Sequence, residues 1–467
     1  MPDKYFYHFV IKSARYLFTT LTIIISIATH AQSWVTVGSP AFSDSVADNG
    51  SIALDSNGTP YVAYLDEGTP LYQATVMKYN GSDWAPVGRR GFTAGQVQYT
   101  SIAIDRSGAP YVAYMDINTV NFRASVMKYV DTSWVVVGDT GFSAKQASFT
   151  CIAIDTAGTP YVAYLDDSGC LGLPTVMKYN GISWVNVGKP RFSTGNVPYI
   201  DMAMSGNVPY VAYPDGGDSQ KATVMKFVDT GWVAVGIHGF SVQGVNMITI
   251  AMNKDTPYIA FTDYANSLKA TVMRYDGSSW VNVGIAGFSA AEADNITIAI
   301  DNNGSPYVIF EDETTSNLGA TVMKYNGSSW VTVGIRGFTT GLDALNTTMA
   351  IDKSGTPYAC FKQFPGGHAT VMKFDAVTGV KSAGNLAGNS LAVYPNPSYG
   401  SFTINISEPI TEKATITITN ILGEKVTESE VSTNQQTTIQ LNEKPGLYFL
   451  TAITQEGIVS GKIILEK

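Results

Sequence analysis

The chain has 467 residues, a formal net charge of −9, 14% charged residues and three cysteines. That length suits two or three domains or one large repeat array. The acidic balance argues against a nucleic-acid partner or an anionic membrane surface, and an odd, sparse cysteine set is no disulfide framework. Cys151, Cys170 and Cys360 form no paired Cys/His spacing, and only His238 and His368 lie beyond the first 31 residues. No metal site and no cofactor is expected from such a set.

In chain order, the first feature is a leader. Lys4, Lys12 and Arg15 precede the apolar run "LFTTLTIIISIA" (17–28), and "THA" then supplies a small-residue cleavage pattern before Gln32. This reads as a secretory signal peptide over 1–31. The apolar run falls short of the roughly 20 residues of a spanning helix, so the mature chain is expected to carry no transmembrane segment. Cleavage removes three cations and one anion, which moves the net charge from −9 to −11. An exported setting also permits a Cys151–Cys170 disulfide.

Residues 32–375 are a repeat array, which takes precedence over any other reading. All seven tryptophans fall in one motif, at 34, 84, 134, 184, 232, 280 and 330, with spacings of 50, 50, 50, 48, 48 and 50. Each opens a "WVxVG"-like run, and a phenylalanine follows. Three further phrases recur, exemplified by "SIALD" (51–55), "PYVAY" (60–64) and "TVMKY" (75–79). Each has about five residues, rich in β-branched and aromatic types and bounded by turn residues, so each is expected to be a strand. Asn-Gly and Asp-Gly pairs mark a hairpin between the third strand and the Trp strand.

Each unit is thus a four-stranded antiparallel meander, and seven in series predict an all-β, seven-bladed β-propeller. The chain opens on a fourth strand, "WVTVG" (34–38), and the array ends after "TVMKF" (370–374) with no Trp strand to follow. The first strand is therefore expected to complete the last blade; an open solenoid has no use for that offset. The pattern resembles extracellular seven-bladed propellers of bacteria, and "IAID…G.PYVA" resembles the first two strands of NHL-type blades.

The recurring residues read as scaffold. Asp55, Asp105, Asp155, Asp301 and Asp352 follow first strands as turn supports. A second series, Asp66, Asp116, Asp166, Asp215, Asp263 and Asp312, follows second strands, either as caps or as a cation-attracting ring. Lys78, Lys128, Lys178, Lys226, Arg274, Lys324 and Lys373 recur on third strands as ion-pair partners or snorkelling stems.

Function is expected where copies differ. The connections from second to third strands, such as "LDEGTPLYQA" (65–74) and "MDINTVNFRA" (115–124), share a face with those entering first strands, and they vary far more than the hairpins opposite. Tyr99, Phe149 and Tyr199 stand just ahead of three consecutive first strands, and Asp201 replaces the usual Ser or Thr. Tyr99, Phe149, Tyr199, Asp201, Asp116 and Asp166 form the candidate ligand site, since aromatic faces beside carboxylates suit a sugar or peptide. No catalytic residue stands out: there is no Ser/His or Cys/His arrangement and no "SxDxGxTW" box.

After a small, polar linker (376–390), residues 391–467 alternate as short strands about ten residues apart, which predicts a small β-sandwich. "YPNP…G.F.I" (394–404), "N.LG.KV" (420–426), "GLYFL" (446–450) and the terminal "KIILEK" (462–467) resemble the type A sorting domain of the type IX secretion system. That resemblance implies a type IX machinery partner for residues 391–467, passage from periplasm across the outer membrane, and then surface attachment or release. The whole reads as an exported module binding an extracellular glycan or protein. The alternative is a secreted propeller glycosidase or lyase acting on extracellular polysaccharide.

Overall fold

The computed structural model describes residues 33–166, 172–313, 318–339, 342–375, 390–407, 411–420, 424–453 and 458–466. The expected signal peptide, Cys170 and all but the last residue of the expected linker lie outside them.

Seven four-stranded antiparallel sheets follow one another in the array. Blades 1 to 6 are formed in chain order by residues 47–86, 97–136, 147–186, 201–234, 245–282 and 293–332. Blade 7 takes three strands from 343–375 and its fourth from the start of the chain. Strand Ser33–Thr36 pairs antiparallel with strand His368–Asp375, with Trp34 opposite Phe374 and Val35 opposite Lys373. The offset expected from the sequence is thus the ring closure. Apolar clusters lie between every pair of neighbouring blades, and the one joining blade 7 to blade 1 packs Tyr358, Cys360 and Val371 against Ile52, Val62 and Tyr64.

The Trp motif is the fastener of this ring. Each indole stacks on the phenylalanine of the preceding blade, with centroids 4.0–4.4 Å apart, from Trp134 on Phe92 to Trp232 on Phe192. Each indole N–H also donates to a backbone carbonyl of that blade, as Trp184 does to Val137 at 2.7 Å. Trp34 repeats both contacts across the closure, stacking on Phe338 at 4.1 Å and donating to the Val333 carbonyl at 2.8 Å. A buried indole thus contributes ring packing and leaves no orphaned donor. The glycine ending "WVxVG" is required by this approach. Gly188 has φ +67°, and a Cβ there would meet the Phe227 ring at 2.7 Å.

The other repeated residues serve as scaffold. Asp55 Oδ1 accepts from the N–H groups of Asn57 and Thr59, both at 2.9 Å, and Asp352 holds its turn alike through Ser354 and Thr356. Lys128 and Lys324 each donate to the turn aspartate of their blade at 3.1 Å, and their ammonium groups lie over the Tyr111 and Tyr307 rings.

First strands run longer than their sequence phrase, and fourth strands shorter. Strand Ala47–Leu54 begins four residues ahead of "SIALD" because a bulge between Asp48 and Ser51 lets pairing resume upstream. The same register shift recurs in blades 2, 3, 5, 6 and 7.

The carboxy-terminal module is a three-stranded sheet and a four-stranded sheet. Phe402, Ile404 and Ile406 of the first share a core with Ile416, Ile418, Leu450 and Ile463 of the second, as the alternation of its strands predicts.

Candidate functional site

The meander places connections from second to third strands, and those entering first strands, on one face. Inner strands line the axis there, and the bulges shape its mouth. Each bulge puts one residue in the left-handed region: Asn49, Tyr99, Phe149, Met247, Asn295 and Asn346 have φ between 46° and 54°. None is glycine, so each position carries strain that the surrounding ladder holds in place. Tyr199 occupies the corresponding place ahead of the shorter first strand of blade 4, Asp201–Ser205.

Three consecutive mouth positions are therefore aromatic, whereas three of the others are asparagine. Tyr99 and Phe149 have centroids 4.6 Å apart, and Phe149 meets Tyr199 edge-on at 5.1 Å. All three are half-buried. The chain thus brings together the aromatics singled out from sequence. Mouth backbones are tied between blades: the Thr347 hydroxyl donates to the Asn295 carbonyl at 2.9 Å, and the Tyr99 N–H donates to Asn49 Oδ1 at 3.2 Å.

Asp201 occupies a staple position. In other blades a hydroxyl just inside the bulge accepts the N–H of the next blade, as Ser101 does from Ile152 at 3.2 Å and Thr249 from Ile298 at 3.2 Å. Asp201 uses a carboxylate for this, accepting from Ile250 at 2.9 Å and from its neighbour Met202 at 2.8 Å. Burial outweighs those two bonds and pushes its carboxyl up to about 6.

This shift has a consequence for stability. The folded value lies above the ordinary carboxylate value, so the folded chain holds the proton more tightly than the unfolded one. Stability from Asp201 is fully present below about pH 4 and is lost as pH rises through about 6, a change of about 1–3 kcal/mol. Asp201→Thr installs the residue found at this position in blades 5, 6 and 7. Its melting temperature relative to wild type is expected to rise between pH 5 and pH 8, because only the wild type carries the Asp201 titration. A difference that stays flat across this range contradicts the assignment.

The other two carboxylates predicted for the site are buried within their own loops. Asp116 accepts from the Asn118 N–H at 3.1 Å and from Ser125 at 3.4 Å. Asp166 is 6% exposed at its side chain and pairs with Arg191 at 3.7 Å. Two further members of the series are held in the same way. Asp66 is clasped by Gly68, Thr75 and Arg90, and Asp312 by Thr321 and Arg336.

Two rim residues outside the predicted site break the repeat. Glu311 stands on a second strand where other blades carry Leu65, Met115, Leu165, Pro214 and Thr262. It accepts from the Asn295 side chain and the Asn346 N–H, both at 2.6 Å, and burial pushes its carboxyl up to about 7. Lys362, at the matching place in blade 7, pairs with Asp48. Both breaks in the repeat are visible once units are aligned. On the opposite, hairpin face, the groove beside Tyr61 and Lys78 returns beside Tyr307 and Lys324, so it belongs to the repeat.

Together these features define an outer-membrane-exported class of protein: a seven-bladed β-propeller followed by a type IX sorting domain. Residues 392–466 match the family described as the secretion system C-terminal sorting domain. That match implies secretion across the outer membrane. Among the described residues no helix is long and apolar enough to cross a membrane. No curated protein matches the chain.

Solved structures similar to it include a family PL25 ulvan lyase, at 14% identity and TM-score 0.46, covering 73% of this chain and 95% of that one. The SapL1 lectin in complex with α-methyl fucoside is similar at 13% identity and TM-score 0.41, covering 63% and 98%. A Penicillium chrysogenum α-L-arabinanase is similar at 10% identity and TM-score 0.39, covering 60% and 94%.

Proposed function

We propose that the secreted propeller is a glycan-binding module whose site is the bulge-lined mouth of its channel. The observation that carries this reading is the unbroken arc of Tyr99, Phe149 and Tyr199, with Asn49, Asn295 and Asn346 at the equivalent places of blades 1, 6 and 7. Aromatic faces bury the apolar side of a sugar ring, and amides exchange hydrogen bonds with its hydroxyls. Tyr99, Asn49, Asn295 and Asn346 are held at left-handed positions by inter-blade bonds, so little is lost in ordering them on binding. An extended chain fits better than a monosaccharide, because the arc spans three blades.

The raised carboxyls of Asp201 and Glu311 are the observation that favours a hydrolase or lyase instead. Each carboxylate, however, holds backbone N–H groups of its neighbours, which is work that a general acid or base would have to give up. Binding is therefore the reading we adopt.

A screen of the mature chain against extracellular polysaccharides is expected to select at least one. The Tyr99→Ala/Phe149→Ala/Tyr199→Ala variant is expected to lose affinity for it by at least about a hundredfold, at about 1–3 kcal/mol per ring. Retention of wild-type affinity by a folded triple variant, or a screen that selects nothing, refutes the proposal.

A further inference from the structure

A second break in the repeat lies on the outer loops of blade 4. In blades 1 and 6 the aspartate closing the second strand is buried, and an arginine from the loop after the fourth strand neutralises it. Arg90 reaches Asp66 at 2.7 Å, and Arg336 reaches Asp312 at 3.0 Å. Blade 5 has alanine at the arginine position, and there the Asp263 carboxylate is served instead by Asn266 and Thr271, both at 2.8 Å.

Blade 4 has neither solution. Its aspartate, Asp215, is fully buried. Oδ1 accepts from the Gly217 N–H at 3.0 Å and from the Thr194 hydroxyl at 2.9 Å. Oδ2 has no hydrogen-bond partner. A buried carboxylate oxygen left without a donor is destabilising unless a charge meets it.

What faces it is His238, in the place of the arginines, with Nδ1 3.8 Å from Asp215 Oδ2. That is too long for a hydrogen bond. A carboxylate oxygen of Asp218, from the short 3-10 turn Gly216–Asp218, completes the group, and all three donor atoms lie within 4.8 Å of one another. Two ligands held about 2.0–2.1 Å from a tetrahedral ion stand ~3.4 Å apart, so small side-chain rotations bring the three atoms onto one ion. His238 is 38% exposed at its side chain, which leaves a side open for water or an outside ligand.

We propose that Asp215, Asp218 and His238 bind one divalent cation of the zinc class. An imidazole with two carboxylates favours zinc over calcium or magnesium, which prefer all-oxygen sets with more ligands. The bonds from Gly217 and Thr194 fix Asp215 through its other oxygen, and such supporting bonds orient a metal-binding carboxylate. The cation supplies the positive charge that the guanidinium supplies in blades 1 and 6.

The test uses the mature chain without an affinity tag, stripped with chelator and titrated with zinc chloride alone. One ion per chain is expected, with a higher melting temperature in its presence. Asp218→Asn is expected to weaken zinc binding at least about tenfold. His238→Arg recreates the pair of blades 1 and 6, so it is expected to fold, to bind no zinc at this site and to show no thermal response to it. An equal stoichiometry and affinity in both folded variants overturns the assignment, as does a wild type that binds no zinc.

Discussion

Removing residues 32–38 is expected to lower the melting temperature of the mature protein by about ten degrees or more. The deletion takes away strand Ser33–Thr36, the stack of Trp34 on Phe338 and the indole bond to Val333. It also strips blade 7 of its outer strand and leaves Met372 to Asp375 as an unpaired edge. Trp34→Ala isolates one part of this loss. Truncating a buried tryptophan costs about 3–5 kcal/mol, and in a ring of this size each kcal/mol is worth roughly 2 °C. The same change at Trp134 is expected to cost a similar amount, because Trp34 makes the contacts that Trp134 makes on Phe92 and Val87. An open array predicts otherwise: its first strand is then a frayed end, and deletion leaves the melting temperature unchanged.

The second large effect concerns export. A chain ending at residue 390 is expected to accumulate in the periplasm, with its surface and medium signal reduced by an order of magnitude or more. The sorting match covers 392–466, and the module has its own core, so its removal takes a folded unit rather than part of the propeller. The truncated chain is expected to retain the thermal transition of the propeller. Immunoblots of periplasm, outer membrane and medium measure the first outcome, and calorimetry measures the second. Normal delivery of the truncated chain contradicts the role of the tail.

How much of this was legible beforehand differs between scaffold and site. The ring was legible because one contact set is written seven times: tryptophan, glycine and phenylalanine at fixed spacing specify a stack, a bond and a close approach. Ring closure was legible from the phase of the repeat alone. The bulges were not, because a left-handed backbone at Tyr99 or Phe149 is imposed by the ladder around it and carries no glycine to announce it. The aromatic arc was found, since its three members occupy equivalent places. The role of Asp116 and Asp166 as acceptors for a ligand's donors is read from their place after the second strand, and the structure places both carboxylates within loop turns. His238 was passed over because its meaning depends on Asp215 and Asp218, which lie some twenty residues earlier and reach it only through the blade.

The most direct test of the central claim is hydrogen–deuterium exchange on the mature chain, with and without the polysaccharide selected by the screen. If the repeats build the ring and the differing copies bind, protection appears in peptides spanning 97–104, 147–154 and 199–205. Protection confined to the opposite hairpins around Asn80 and Asn180, with the segments around Tyr99, Phe149 and Tyr199 unchanged, contradicts it.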